Sequence, residues 1–137
     1  KKENRKLNAP IVIHPWIDGR LENPSIEKNG EGFLLTYETM LWFQQAYTPR
    51  TEDRCKPELS PCYETDHTGL APAFVLTAQF DPLLDDGYKY FQQIKSAGNA
   101  GQYKEYQGMI HGFFNLPGVD PVAMQAFNDI QDFISTL

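Results

Sequence analysis

A continuous apolar run at residues 73–78 restricts the possible folds of this chain more than any other feature. It consists of Ala-Phe-Val-Leu-Thr-Ala, without a charged side chain, which is typical of a β-strand buried on both faces. A second apolar run, Ile11–Ile13, lies between Pro10 and Pro15. Strands of this kind belong to parallel sheets that have helices on both sides. The two runs therefore predict an α/β protein.

Three helical segments alternate with the strands. Thr36 can cap a first helix that Pro49 ends, and Gly98 can end a second helix that follows the run at 73–78. The third helix has Asp120 as its cap and Pro121 at its first position. Its apolar residues at helical spacing are Ala123, Phe127, Ile130, Ile134 and Leu137.

The remaining segments complete the predicted topology. Residues 102–106 are more polar and predict a third strand near a sheet edge, while residues 18–32 and 50–70 predict loops. The order strand, helix, strand, helix, strand, helix predicts three parallel strands joined by right-handed crossovers.

Composition limits the size of the protein core and the kinds of partner. A chain of 137 residues that is 41% hydrophobic supports one globular core. The net charge of -6, with both signs interspersed, argues against nucleic acid and anionic membrane surfaces as partners. No apolar stretch approaches the roughly 20 residues that a membrane-spanning helix needs.

The two cysteines, Cys55 and Cys62, each have a proline nearby and are expected to lie in one irregular segment. We expect two free thiols, with a local disulfide as the alternative. A zinc site would need more ligands than this segment offers. His14, beside Pro15 and Trp16, is interpreted as a partly buried loop histidine, since no second ligand stands at a suitable spacing.

Two reactive side chains follow neighbouring strands. Asp81 comes after the run at 73–78, and His111 comes after the third predicted strand. Loops at the carboxyl ends of parallel strands form the usual ligand site of an open sheet. A carboxylate can orient an imidazole there and stabilise it when it is protonated. Asp before His is also the order of the triad partners in α/β hydrolases.

The residues around this pair resemble one family. The segment Asp81-Pro82-Leu83-Leu84-Asp85-Asp86-Gly87 is similar to the acid motif of the hormone-sensitive-lipase-like esterases, and Gly108-Met109-Ile110-His111-Gly112-Phe113 is similar to their histidine loop. The similarity runs from about Ala9 to Leu137. It implies that the chain is the C-terminal portion of an α/β-hydrolase fold.

The resemblance implies a role for each matched residue. Asp81 would be the triad acid and His111 the general base and acid. Asp85 would be a supporting residue that helps to hold the two loops together. The alternative, equally well supported, is that Asp85 is simply an acidic residue of the kind favoured in the first turn of a helix. Asp86 is expected to be only such a residue. Phe80, Ile110, Phe113 and Phe114 flank the reactive loops and are candidate substrate-binding residues, with simple packing as the alternative.

The nucleophile of the family is not among these residues. The family places it in a Gly-x-Ser-x-Gly elbow, with a His-Gly-Gly motif for the oxyanion hole, and neither motif occurs in the sequence. We expect about half of the catalytic domain to precede residue 1, with residues 1–8 as the end of the helix after the elbow. The strand Ile11–Ile13 would then have an unpaired edge. The missing half, self-association or further upstream residues would cover it.

The function implied is that of a serine carboxylesterase acting on small or short-acyl esters, without a metal or an organic cofactor. The chain alone is expected to be inactive, because it lacks the attacking oxygen and the oxyanion donors. A homodimer through residues 102–106 and 121–137 is implied by the resemblance only. Two alternatives stay open: a non-catalytic ligand-binding relative, as in the gibberellin receptors, which have lost the triad histidine, and an inactive remnant.

Overall fold

The computed structural model describes residues 7–137. Within this range the chain forms three strands and four α-helices. The strands are Ile11–Ile13 (β1), Ala73–Phe80 (β2) and Gly101–Ile110 (β3). The helices are Pro24–Asn29 (α1), Tyr37–Tyr47 (α2), Leu84–Ser96 (α3) and Pro121–Ser135 (α4). Short 3-10 helices lie at Thr51–Asp53, Pro61–Tyr63 and Phe113–Asn115.

The described strands form one parallel sheet with β2 in the middle. Phe74 of β2 lies opposite Ile11 of β1 on one side and Gln102 of β3 on the other. The predicted three-stranded parallel arrangement is therefore confirmed. β3 is longer than residues 102–106, because its pairing with β2 continues to Ile110.

The middle strand is buried on both faces because helices cover both sides of the sheet. Phe74 and Leu76 of β2 pack in one core with Phe133 of α4. Val75, which points the other way, packs in a second core with Ile94 of α3. Successive strand residues face opposite sides of the sheet, so a strand with helices packed on both faces requires an uninterrupted apolar run.

The predicted helix ends are present in the structure. The Thr36 side chain accepts a hydrogen bond from the backbone N–H of Thr39, and the Asp120 side chain accepts one from that of Val122. Gly98 has a φ of 83°, the left-handed conformation that suits glycine after a helix. No described helix combines the length and the apolar character that crossing a bilayer demands.

Two expectations about the helices were wrong. Helix α1 lies in the predicted loop at 18–32, where Pro24 begins the helix and Ser25 is tied to the start of α3. In α4, two of the predicted apolar residues, Phe127 and Ile134, remain 41% and 52% exposed. Ala123, which was also predicted, is buried in the core with Ala126 and Phe133, and Ile130 packs partly buried against that core.

Both cysteines are free thiols, as expected: Cys55 is exposed and Cys62 is buried. Burial is the main reason that the pKa of the Cys62 thiol rises to about 11. This thiol is therefore protonated at neutral pH and unreactive as a nucleophile.

Candidate active site

The carboxyl ends of β2 and β3 bring Asp81 and His111 together. Phe80 pairs with Ile110 across the two strands, after an irregularity in the register that follows Ala78. The next residue along each strand is the reactive one, so the pairing sets the two side chains beside each other. His111 Nδ1 lies 2.9 Å from Asp81 Oδ2. The chain therefore contains a hydrogen-bonded carboxylate–imidazole pair.

Asp81 is fully buried, and hydrogen bonds hold both of its carboxylate oxygens. Oδ1 accepts from the backbone N–H of Leu83 at 2.8 Å. Oδ2 faces the Nδ1 atoms of both His111 and His14. Burial raises the pKa of Asp81, but the hydrogen bonds from the two histidines outweigh it and bring the pKa to about 2. The carboxylate is therefore ionised at neutral pH.

The second ring nitrogen of His111, Nε2, is the one that can exchange a proton, because Nδ1 is bonded to Asp81. Its side chain is 29% exposed and lines an open cavity. Gly112 follows with a φ of 79°, a left-handed conformation that lets the chain turn away directly after the imidazole. With Nδ1 donating to Asp81, Nε2 carries the free lone pair. This arrangement can orient a general base and stabilise it once it is protonated.

His14 is a third member of the cluster that the sequence pattern did not predict. It is buried, and its Nδ1 lies 2.8 Å from Asp81 Oδ2. Its ring lies 4.8 Å from the ring of His111 and meets Phe113 edge-on at 5.4 Å. A signal was available, because His14 directly follows β1 as Asp81 follows β2 and His111 follows β3.

The three side chains also form a possible metal-binding group. One ligand atom from each of His14, Asp81 and His111 lies within 4.8 Å of the others. Two imidazoles and a carboxylate are a donor set that zinc accepts. Here the carboxylate oxygen already accepts from both imidazoles, so hydrogen bonding alone accounts for the arrangement.

Asp85 and Asp86 connect the start of α3 to the chain that follows β1. Asp85 Oδ2 accepts from the backbone N–H of Ser25 at 2.7 Å. A supporting role for Asp85 in catalysis stays a prediction. Asp86 is fully buried, and its Oδ1 accepts from the backbone N–H groups of Ile17 and Asp18 at 2.8 and 2.9 Å. The expectation that Asp86 is only an acidic residue in the first turn of a helix was wrong.

We expect Asp86 to make stability depend on pH. Burial raises its pKa to about 6, so between pH 4 and 6 the folded state binds more protons than the unfolded state. Stability should therefore fall by up to about 3 kcal/mol as pH rises through this interval. D86N should remove this dependence, and urea unfolding at pH 4, 5, 6 and 7 measures it. The same slope in D86N would contradict the prediction, and D132N, on the exposed side of α4, is the control.

A cavity of about 730 Å³ opens beside the histidines. Most of its wall is apolar and comes from the segment after β1, from α2 and from the start of α3. The apolar lining residues are Trp16, Leu35, Met40, Trp42, Phe43, Ala46, Leu59 and Leu83. Ser60 also lines the cavity, but it is buried, and its hydroxyl accepts from the N–H of Gly19 and donates to the carbonyl of Arg54. Ser60 is therefore a structural residue.

The four candidate substrate-binding residues do not line this cavity. Phe80 stacks on Phe33 with ring centroids 4.8 Å apart, and Phe114 stacks on Phe127 at 4.2 Å. Phe113 belongs to the core between the sheet and α4, and Ile110 ends β3. None of the four is among the described residues that line the cavity. Their role in substrate binding stays a prediction.

Residues 1–115 match a family model described as the alpha/beta hydrolase fold. An ethyl acetate hydrolase from Pseudomonas putida is 35% identical over 118 residues, which are 84% of this chain and 37% of that protein. The carboxylic ester hydrolase LipN from Mycobacterium tuberculosis is 36% identical over 77% of this chain and 28% of its own length. The chain thus spans less than half the length of these relatives.

Solved structures give the same result. An esterase from Pyrobaculum calidifontis has a TM-score of 0.88 and 29% identity, covering 95% of this chain and 43% of that one. An alpha/beta hydrolase enzyme from the metagenome of Lake Arreo, Spain, has a TM-score of 0.82 and 40% identity, covering 87% of this chain and 38% of that one. The chain belongs to the alpha/beta hydrolase family. Its relatives are esterases and lipases, as the resemblance to hormone-sensitive-lipase-like enzymes implied.

Proposed function

We propose that this chain supplies the acid and the general base of a Ser-His-Asp triad in a serine carboxylesterase. The hydrogen bond between Asp81 Oδ2 and His111 Nδ1, at the ends of two adjacent parallel strands, is the observation that carries the proposal. His111 takes the proton of the attacking serine through Nε2 and returns it to the leaving alcohol. Asp81 fixes the imidazole and stabilises its protonated form. An acyl-enzyme forms, and water then hydrolyses it.

The serine and the oxyanion donors would come from outside residues 1–137, because the sequence contains neither motif. The proposed place for those groups is the side of β1 opposite β2. β1 pairs with β2 on one side only among the described residues, and its Ile11 and Ile13, like Ala9 shortly before it, are partly buried apolar residues. A further strand there would pair the open edge and cover it.

The cavity supports the proposed substrate class. A cleft of about 730 Å³ with a mainly apolar wall and His111 at its edge suits the acyl or alcohol group of a small or short-acyl ester. The names of the relatives, an ethyl acetate hydrolase and several carboxylesterases, are consistent with this class. The proposed chemistry uses side chains alone and needs no metal or organic cofactor.

A homodimer through β3 and α4 is a further part of the proposal. The outer side of α4 exposes Met124, Phe127 and Ile134, each by more than two fifths of its surface. A second copy could bury these residues. A non-catalytic ligand-binding role is less consistent with the site, because His111 is present and bonded to Asp81.

A serine-directed fluorophosphonate probe tests the proposed function. In the full-length protein that contains this chain, the probe should label one serine outside residues 1–137 and abolish hydrolysis of p-nitrophenyl acetate. The 137-residue chain alone should neither react with the probe nor hydrolyse the ester, because it lacks the attacking oxygen. A folded full-length protein that resists the probe would rule out the serine esterase.

A further inference from the structure

We infer that His14 is a positioning residue, which holds the Asp81 carboxylate in the orientation that serves His111. This inference rests on the proposed function for its effect on turnover. The hydrogen bond on which it depends can be measured in the protein whether or not the protein hydrolyses esters.

The contacts of Asp81 differ in how deeply the partner is buried. The backbone N–H of Leu83 holds Oδ1 at the turn into α3. Oδ2 is held by His111, which is partly exposed and must move a proton during the reaction, and by His14, whose side chain is only 5% exposed. His14 is therefore the more buried partner of the oxygen that faces the proposed general base. Without it, the partly exposed imidazole of His111 would be the one remaining described side chain bonded to Oδ2.

The protonation of His14 follows from its partner. Oδ2 of the ionised Asp81 is an acceptor, so Nδ1 of His14 must carry the proton and donate it. Its Nε2 is buried without a hydrogen-bond partner among residues 7–137. A second proton there would be a buried N–H with no acceptor in that range, which is costly. His14 thus donates to Asp81 through Nδ1, and in the proposed reaction it is His111 that takes the serine proton.

The backbone at His14 is strained, which indicates that its placement is enforced. Its φ is 46°, in the left-handed region that few residues other than glycine adopt. The next residue is Pro15, which further restricts the backbone before it. The N–H of His14 donates to the carbonyl of Leu76 at 3.1 Å, so the sheet pairing of β1 extends to this residue. Such strain persists where the surroundings hold a residue in place, and it clusters at functional sites.

Two variants separate the donor from the ring. H14F keeps an aromatic ring to pack against Phe113 and His111 but has no donor for Asp81. H14N loses the ring but keeps an N–H₂ donor near the position of Nδ1, and asparagine tolerates a positive φ. We expect kcat for p-nitrophenyl acetate to fall about tenfold in H14F of the full-length protein, with KM little changed. H14N should stay within about threefold of the wild type.

The reverse order of the two variants would overturn the inference, because it would mean that His14 contributes packing alone. Equal activity of H14F and wild type would do so as well. The thermal midpoint of each variant separates loss of folding from loss of turnover. These kinetic arms require an active full-length protein.

The downfield region of the proton NMR spectrum provides a test that does not require an active enzyme. The wild type should show separate resonances for the imidazole Nδ1–H protons of His14 and His111, both bonded to Asp81. H14F should lose one resonance, and the other should exchange faster with water. Absence of the His14 resonance from the wild type overturns the inference even if no variant folds. Failure of the proposed esterase would instead leave both resonances in place without activity.

Discussion

Replacing His111 by alanine in the full-length protein is expected to lower kcat for p-nitrophenyl acetate about 10⁶-fold, with little change in KM. In the proposed mechanism this imidazole, hydrogen-bonded to Asp81, accepts the serine proton, and neither of the other described histidines is placed to replace it. His14 is directed to the same carboxylate through its own Nδ1, and its Nε2 is buried. Labelling by a fluorophosphonate probe should fall with turnover, because the serine is no longer activated.

The H67A variant is the matched control for H111A. His67 lies in the irregular segment before β2 and is not among the described residues that line the cavity. H67A should retain the wild-type kcat. The side chain of His111 is partly exposed, so H111A should also keep the fold, which circular dichroism can verify. If a folded H111A kept more than a tenth of wild-type kcat, His111 would not be the general base.

Replacing Asp81 by asparagine is expected to lower kcat less than H111A does, by about 10⁴-fold. The amide can still accept the N–H of Leu83 through its oxygen, but its N–H₂ group would face the Nδ1 atoms of His111 and His14. Those atoms would then have to accept, which moves the proton of His111 to Nε2. An imidazole protonated at Nε2 cannot take the serine proton.

Two further measurements distinguish a D81N effect on catalysis from a general loss of structure. The double variant D81N/H111A should be no less active than the weaker single variant, since residues of one triad act as a unit. Acid stability should also change. The pKa of Asp81 is lowered to about 2 in the folded state, so the wild type loses up to about 2 kcal/mol as pH falls from 5 to 2. D81N should lose this pH dependence of stability. If the losses of kcat in D81N and H111A added up in the double variant, the triad would be contradicted.

The sequence was sufficient to predict the parallel sheet and the pair at its edge. The apolar strand at residues 73–78 is stable only when other elements pack on both of its faces. The helix caps at Thr36 and Asp120 are hydrogen bonds between residues close in sequence. Strand ends in a parallel sheet meet at one edge, so Asp81 and His111 could be placed together from the sequence alone.

Contacts between distant segments with weak local signals could not be predicted from the sequence. Helix α1 has only six residues, and its placement depends on hydrogen bonds from Ser25 to Asp85 and Pro82, about sixty positions away. The inner face of α4 depends on how closely the helix approaches the sheet, which periodicity alone does not fix. The cavity wall likewise depends on how α2 packs, so its residues could not be identified from neighbours in sequence.

The pairing of Asp81 with His111 could therefore be predicted from the sequence, whereas the surroundings of the pair were decided by the tertiary structure. Asp81 and His111 each lie in a motif of consecutive residues, and such a motif is visible in the sequence itself. His14 and Asp86 act across 67 and 69 positions, through a buried carboxylate in each case. Hydrogen bonds of this kind form only when packing removes water from both partners at once. Only the folded chain could identify them.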